Sequence, residues 1–421
     1  MQIPFLPADI LLPAHADDLR WSCVACDQYT SQPDYWASAD ALVGEAPSTL
    51  RLILPEVYLA ETQVRKPSIL SAMDAYLRDV LISHPDSMIL VERTLGGSET
   101  RWGLVGMVDL LQYDYRKGAD SLIRATEATV AERIPVRTAI RRDALIELPH
   151  VMMLIDDRRR TVVEPLAEKR EALEVAYDHD LMLGGGHIKG YFLTPDDRGA
   201  VSEALAALIT PEAMAERYGD PTRAPLLFAV GDGNHSLAAA KACFEEVRAA
   251  IGEEAAMRHP ARFALCEVVN LYDESLQFEP IYRTVFGVDP DALLSALEDY
   301  TATLRGEAAP QRVEWYANGR GGVMTVSAPV AALPVGTVQD FLDAYMENAP
   351  AGAYIDYIHG EGAARALTDG RDDAVALLFD GMAKEELFST VISDGALPRK
   401  TFSMGHAEDK RFYTEARRIR G

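Results

Sequence analysis

The chain has 421 residues, 48% hydrophobic and 25% charged, an ordinary globular composition that excludes a disordered, collagen-like or disulfide-stapled chain and suggests two or three domains. Its 41 Lys and Arg stand against 65 Asp and Glu, and the formal net charge of -24 argues against nucleic acid or an anionic membrane as partner. A small anionic substrate remains allowed, because a local site can be basic on an acidic body.

The first residues carry Asp9, Asp17 and Asp18 and no basic region, so they do not read as a signal peptide. No stretch approaches the ~20 apolar residues that span a bilayer. The 4 cysteines show no dense pairing pattern, and a cytoplasmic location is expected. Residues 21–25 look extended, and 49–54 read as a strand limited by Pro55. The spacing of Ile69, Met73, Tyr76 and Val80 predicts a helix over 68–84 with Ser68 as its cap. Residues 88–94 and 102–109 form a hairpin around Gly96, Gly97 and Ser98. Then come a strand at 151–155, a helix at 165–177, a strand at 187–193 and a helix at 204–218 with a break at Pro211. A buried strand at 225–230, a helix at 236–251 and a strand at 263–271 complete the alternation, which argues for an α/β core. From 287 onward, helices at 290–304 and 337–346 and strands at 313–316, 323–326, 354–358 and 374–379 read as a smaller α+β domain. The expected organisation is an α/β core domain at 1–286 holding the site, and a C-terminal domain at 287–421 whose tail returns toward it.

The strongest local signal is Gly231-Asp232-Gly233-Asn234-His235-Ser236, after an apolar strand and before an alanine-rich helix. Such a turn places backbone N–H groups at a positive helix terminus, where an anion binds well. Asp232 suits phosphate only with a cation such as Mg²⁺ between them, or as a base. A tight turn with Ser236 or Asn234 as cap is the plainer alternative. The third glycine of a dinucleotide fingerprint is absent, as is any P-loop. A second candidate is Gly184-Gly185-Gly186-His187-Ile188-Lys189, where His187 and Lys189 flank flexible backbone. Asp27, just past the Cys23/Cys26 spacing, is a third, with a turn-capping carboxylate as its alternative. The basic run Arg124, Arg133, Arg137, Arg141 and Arg142 is either an anion site or a solvated face. The last is the polar stretch around Arg399, Lys400 and His406.

Across almost its whole length the chain resembles the domain-of-unknown-function family 1015. The resemblance rests on Ala25-Cys26-Asp27-Gln28-Tyr29-Thr30-Ser31-Gln32, Ala46-Pro47-Ser48-Thr49-Leu50-Arg51, Ala125-Thr126-Glu127-Ala128-Thr129, the Gly231–Ser236 turn and Pro398-Arg399-Lys400-Thr401-Phe402. The turn with its flanking strand and helix also resembles the D-G-H-H-R motif of the ParB/sulfiredoxin-like superfamily, which includes free serine kinases. That likeness implies a ParB/sulfiredoxin-like element in a mixed-sheet α/β core, and nucleotide phosphate bound at the turn. The sequence departs at Ser236, where the superfamily has arginine, so the phosphate-binding charge must come from elsewhere.

Together these readings point to a metal-assisted phosphotransferase moving phosphate between a nucleotide, ATP or ADP, and a small hydroxylated metabolite, with L-serine or phosphoserine as the first choice. Gly231, Gly233, Asn234, Ser236, Gly185, His187, Lys189, Arg399 and Lys400 would bind the cofactor. Asp232 would face Mg²⁺, Asp27 or Glu127 would take the hydroxyl proton, and His235 would assist. A phosphoserine-type phosphatase and a non-catalytic nucleotide-binding regulator are the alternatives. Homodimer formation is compatible with each.

Overall fold

The computed structural model describes residues 3–14, 18–97, 99–127, 134–220, 222–405 and 407–420. Ala128, Thr129, Arg133 and His406 lie outside the described residues, as does the side chain of Arg137. The fold is mixed α/β and divides into two compact units, Met1–Leu276 with His406–Gly421, and Gln277–Gly405. The division falls at Leu276/Gln277 and not at 286/287, because the strand Phe278–Phe286 pairs within the second unit's sheet. The last stretch of chain belongs to the first unit.

In the first unit a large sheet runs in the order Glu174–Asp180, His187–Phe192, Ile89–Thr94, Thr100–Asp109, Phe263–Asn270, Val151–Ile155, Phe228–Asp232, Ile123–Ala125 and Tyr113–Asp114. Val151–Ile155 is parallel to Phe263–Asn270 and antiparallel to Phe228–Asp232, so the sheet is mixed. Its central strands are mainly apolar, with Glu267 and Asn270 buried in Phe263–Asn270. Every residue of Val151–Ile155 is buried, as expected for a strand covered on both faces. The helix Asn234–Ile251 follows the strand Phe228–Asp232 directly and buries Leu237, Ala240 and Phe244.

The C-terminal segment is sewn into this unit. Phe412–Tyr413 pairs with Cys23–Val24, and Ala416–Arg418 joins a sheet with Ala8–Pro13, Leu81–Ser87 and Ile146–Glu147. Beneath it Arg411, 4% exposed, donates to Glu267 at 2.6 Å and to Glu415, which also accepts from the Tyr177 hydroxyl. Burial opposes the Arg411 charge, but the two carboxylates hold its pKa above the ordinary arginine value.

The second unit carries an antiparallel sheet in the order Arg320–Val326, Gln311–Ala317, Ala374–Phe379, Phe278–Phe286 and Tyr354–His359, with the helices Pro290–Thr303 and Pro334–Met346. Its buried Arg283 donates to the carbonyls of Arg399 at 2.7 Å and Lys400 at 2.9 Å.

Three local expectations change. The expected strand at 49–54 begins instead as the 3₁₀ turn Thr49–Leu52, capped by the Ser48 hydroxyl, with Thr49 Oγ1 donating to the Trp21 carbonyl at 2.9 Å. The helix expected at 68–84 runs over Thr62–Asp79, and Ser68 donates to the Arg65 carbonyl instead of capping. The stretch 165–177 is a short helix, Glu164–Glu168, a 3₁₀ turn and then the edge strand Glu174–Asp180. At Pro211 the expected break separates Pro195–Ala207 from Pro211–Tyr218.

Candidate functional site

The turn is built by Gly233, at φ +81°. A Cβ there would lie 2.9 Å from His150 Cδ2 and 3.1 Å from Val151 Cα, so both the backbone conformation and the close approach require glycine. Regular helical bonding begins with the Leu237 N–H donating to the Gly233 carbonyl at 3.0 Å. The amides of Asn234, His235 and Ser236 therefore precede the ladder, at the positive end of a long helix. Asn234 is structural: its amide donates to Thr126 Oγ1 at 3.2 Å and to the Val230 carbonyl at 3.3 Å, and its Oδ1 accepts from the Thr126 N–H at 3.3 Å. Half-buried Glu127 follows Thr126 and so sits next to this tie.

Gly231 ends the strand beside Asp232. One oxygen of Asp232 accepts from the Gly233 N–H at 2.9 Å, and the other lies 3.5 Å from the Lys410 ammonium. The carboxylate expected to face Mg²⁺ thus faces a cation of the protein's own. Among the described residues no group of three or more His, Cys, Asp or Glu side chains could hold a metal. One already engaged carboxylate does not make a Mg²⁺ site.

On the other side of Gly233 stands a polar chain of buried His150 and Tyr413 with half-buried Asp27. His150 Nε2 lies 3.2 Å from Asp27 Oδ2, and His150 Nδ1 lies 2.5 Å from the Tyr413 hydroxyl. The Cys26 N–H donates to that same hydroxyl oxygen at 3.2 Å, and Gln28 donates to the other Asp27 oxygen at 2.9 Å. With His150 charged, its Nε2–H faces Asp27 and its Nδ1–H donates to the Tyr413 oxygen, which also accepts from the Cys26 N–H. Burial opposes a charge on His150, but the Asp27 carboxylate overcomes it and holds the pKa well above 6.5. Burial raises the Tyr413 hydroxyl.

A pH dependence follows. A folded-state pKa raised above the unfolded value stabilises the protein fully below the unfolded pKa, and this gain fades as pH rises through the folded pKa. The stability difference between wild type and His150→Gln should be largest near and below pH 6.5 and shrink above it, read from urea midpoints over a pH series. A difference that grew with pH would contradict the Asp27–His150 ion pair.

Cys26, His150, Ser236 and Tyr413 also line a cavity of about 170 Å³ whose other walls are mostly aliphatic. Cys26-Asp27 and the Gly231–Ser236 turn, singled out in the sequence, each send one residue to this cavity, and Thr126-Glu127 joins the turn through the Thr126–Asn234 bonds. Ser236 reaches the cavity through the first turn of its helix.

Other expected residues are placed elsewhere. His187 and Lys189 lie on an edge hairpin, where His187 is 2.8 Å from both Asp178 and Asp180 and Lys189 is 2.8 Å from Asp178. These contacts occupy the side chains expected to hold phosphate. Gly185 is needed for packing, since a Cβ there would meet the Phe412 ring at 2.5 Å. Arg399 and Lys400 belong to the second unit, where Arg399 pairs with Asp343 at 2.8 Å. In the basic run, Arg124 donates to the Ser121, Ala224 and Pro225 carbonyls, Arg141 pairs with Glu147, and Arg142 pairs with Glu246. Cys23 is buried, and burial pushes its thiol up to about 12.

Sequence reading missed His150, Lys410 and Tyr413. His150 is one residue ahead of a recognised strand, a position from which a side chain commonly reaches a site. Lys410 and Tyr413 lie just past the polar stretch that had drawn attention to the tail.

Fold and site together define a mixed α/β protein whose central sheet presents a strand, a glycine turn and a helix beside a largely buried Asp–His–Tyr chain. The chain belongs to the family DUF1015, described as protein of unknown function, whose model matches residues 7–345. Among solved structures it is similar to a conserved hypothetical protein from Pyrococcus furiosus, at 10% identity over 75% of this chain and 94% of that one, with a TM-score of 0.35. A free serine kinase variant in complex with AMP matches at 9% identity over 73% of this chain and 90% of that one, with a TM-score of 0.37. SbnI from Staphylococcus aureus, with a C-terminal truncation, matches at 10% identity over 72% and 82%, with a TM-score of 0.35. No curated protein matches the chain.

Proposed function

We propose that the first unit is a small-molecule phosphotransferase. It would bind a nucleotide phosphate at the Gly231–Ser236 turn and exchange phosphate with a hydroxylated metabolite held near Asp27. The observation that carries this reading is the meeting of Asp27 and the turn at His150, which bonds Asp27 at 3.2 Å and sits against Gly233. Phosphoryl transfer needs little covalent help from the protein. It needs positioning, charge neutralisation and a group to take the hydroxyl proton.

In this reading the helix amides of Asn234, His235 and Ser236 receive phosphate oxygens. Lys410, held beside Asp232, supplies the cation that the missing arginine at position 236 does not. Asp27 takes the proton from the attacking hydroxyl. His150 keeps Asp27 ionised and oriented, and Tyr413 fixes His150 in turn. The same groups serve the reverse direction, with Asp27 returning the proton to the leaving alkoxide.

Phosphorus NMR tests the proposal. The purified chain is incubated, with and without Mg²⁺, with ATP plus L-serine, with ADP plus phosphoserine, and with phosphoserine alone. Transfer of phosphate in either of the first two mixtures is the expected result. Free phosphate from phosphoserine alone would make the protein a phosphatase. Nucleotide binding without turnover over a panel of hydroxylated acceptors would make it a binding protein.

A further inference from the structure

The cavity beside His150 is asymmetric in its chemistry. One wall carries Cys26, His150, Ser236 and Tyr413, and most of the rest is aliphatic, including Leu52, Leu54, Met73, Ile140, Ile146 and Ala239. Asp232, Gly233 and Lys410 are not part of its lining. Asp27 is not part of the lining either, and the chamber meets it through His150, which lines the chamber and bonds Asp27 at 3.2 Å. The chamber, about 170 Å³, opens to solvent and is walled largely by leucine, isoleucine and methionine, a surface that takes up an apolar ligand.

We propose that this chamber seats the apolar body of the hydroxylated acceptor. This rests on the phosphotransferase reading and narrows its substrate class. The acceptor is a compound whose hydroxyl lies at the His150 end of the chamber, next to the Asp27–His150 pair, and whose aliphatic or aromatic body extends between Met73, Ile140 and Ala239. Serine, with a single methylene, would occupy only the His150 end of the chamber and should be the weaker acceptor. Glu56 and the Arg141–Glu147 pair, 2.5 Å apart, are the polar points left in the lining for a head group on that body. The nucleotide stays on the Lys410 side.

Alkyl phosphates probe the chamber without requiring turnover. Each methylene buried in an apolar site strengthens binding roughly fourfold. By calorimetry on the full chain, n-butyl phosphate should bind at least about tenfold more tightly than methyl phosphate. Ala239→Phe fills the chamber from the helix. Leu59→Trp fills it from a lining position that is 38% exposed, where a larger side chain is compatible with folding. Both should cut the butyl-to-methyl ratio to within about twofold. Equal affinities in wild type, a ratio untouched by either variant, or no binding of any alkyl phosphate would overturn the assignment. So would loss of AMP affinity in Ala239→Phe with the alkyl ratio intact, which would make the chamber a nucleobase seat. Chain-length dependence without phosphotransfer to any hydroxylated acceptor would sink the phosphotransferase reading and leave the ligand class standing.

Discussion

Asp27→Asn should lower phosphotransfer by at least about 10²-fold while leaving the fold intact. Asparagine keeps the shape and the hydrogen-bond reach to His150 but cannot take a proton from a hydroxyl. The same change removes the charge that holds the His150 pKa above 6.5, leaving burial to push it down. Two readouts should therefore move together: turnover by phosphorus NMR, and the His150 titration by proton NMR. Turnover within a few-fold of wild type, with the His150 titration shifted as expected, would mean that Asp27 is only a structural partner. The base would then have to be sought at Glu127, which follows the Thr126 tie to the turn.

Arg411→Met should be the most destabilising single change, by about 3–5 kcal/mol. It leaves Glu267 and Glu415 buried without their cation, 1% and 0% exposed. The effect should reach the site, because Arg411 adjoins Lys410 and lies two residues before Tyr413. Its backbone carbonyl also accepts from the Ala25 N–H at 2.8 Å, close to Asp27. Adding Glu267→Gln and Glu415→Gln should recover much of the loss, since the penalty comes mainly from unpaired charge. Denaturant midpoints measure both steps. A loss under about 1 kcal/mol for Arg411→Met would show that the carboxylates find water or protons at little cost.

The central alternation of strands and helices was legible because its strands are apolar runs and its helices are flanked by glycine or proline. The edge strand Glu174–Asp180 was not. It is largely exposed and charged, as edge strands that avoid further pairing are, and it lies next to a helix opened by Glu164-Pro165. The 3₁₀ turn at Thr49–Leu52 was hidden for another reason. Thr49 Oγ1 bonds partners around Trp21, Cys23 and Tyr413, far along the chain, and no local pattern announces such bonds.

At the site, the Gly231–Ser236 turn and Asp27 were legible as local motifs. That both adjoin His150 was not, because it is an isolated histidine in the sequence. The cation followed the same logic. Lys189 and Lys400 stood near glycine or arginine and invited attention, yet Lys410, in a plain acidic-basic stretch, is the one paired with Asp232.

A phosphate-bearing ligand at the turn should be felt at the Asp27–His150 pair. ADP titrated into ¹⁵N-labelled protein tests it directly, with the backbone amides of Asn234–Ser236 and the imidazole nitrogens of His150 followed in the same spectra. The predicted result is that both sets shift with one dissociation constant. Amide shifts at the turn with His150 unmoved, or no shift at the turn at all, would contradict a shared site.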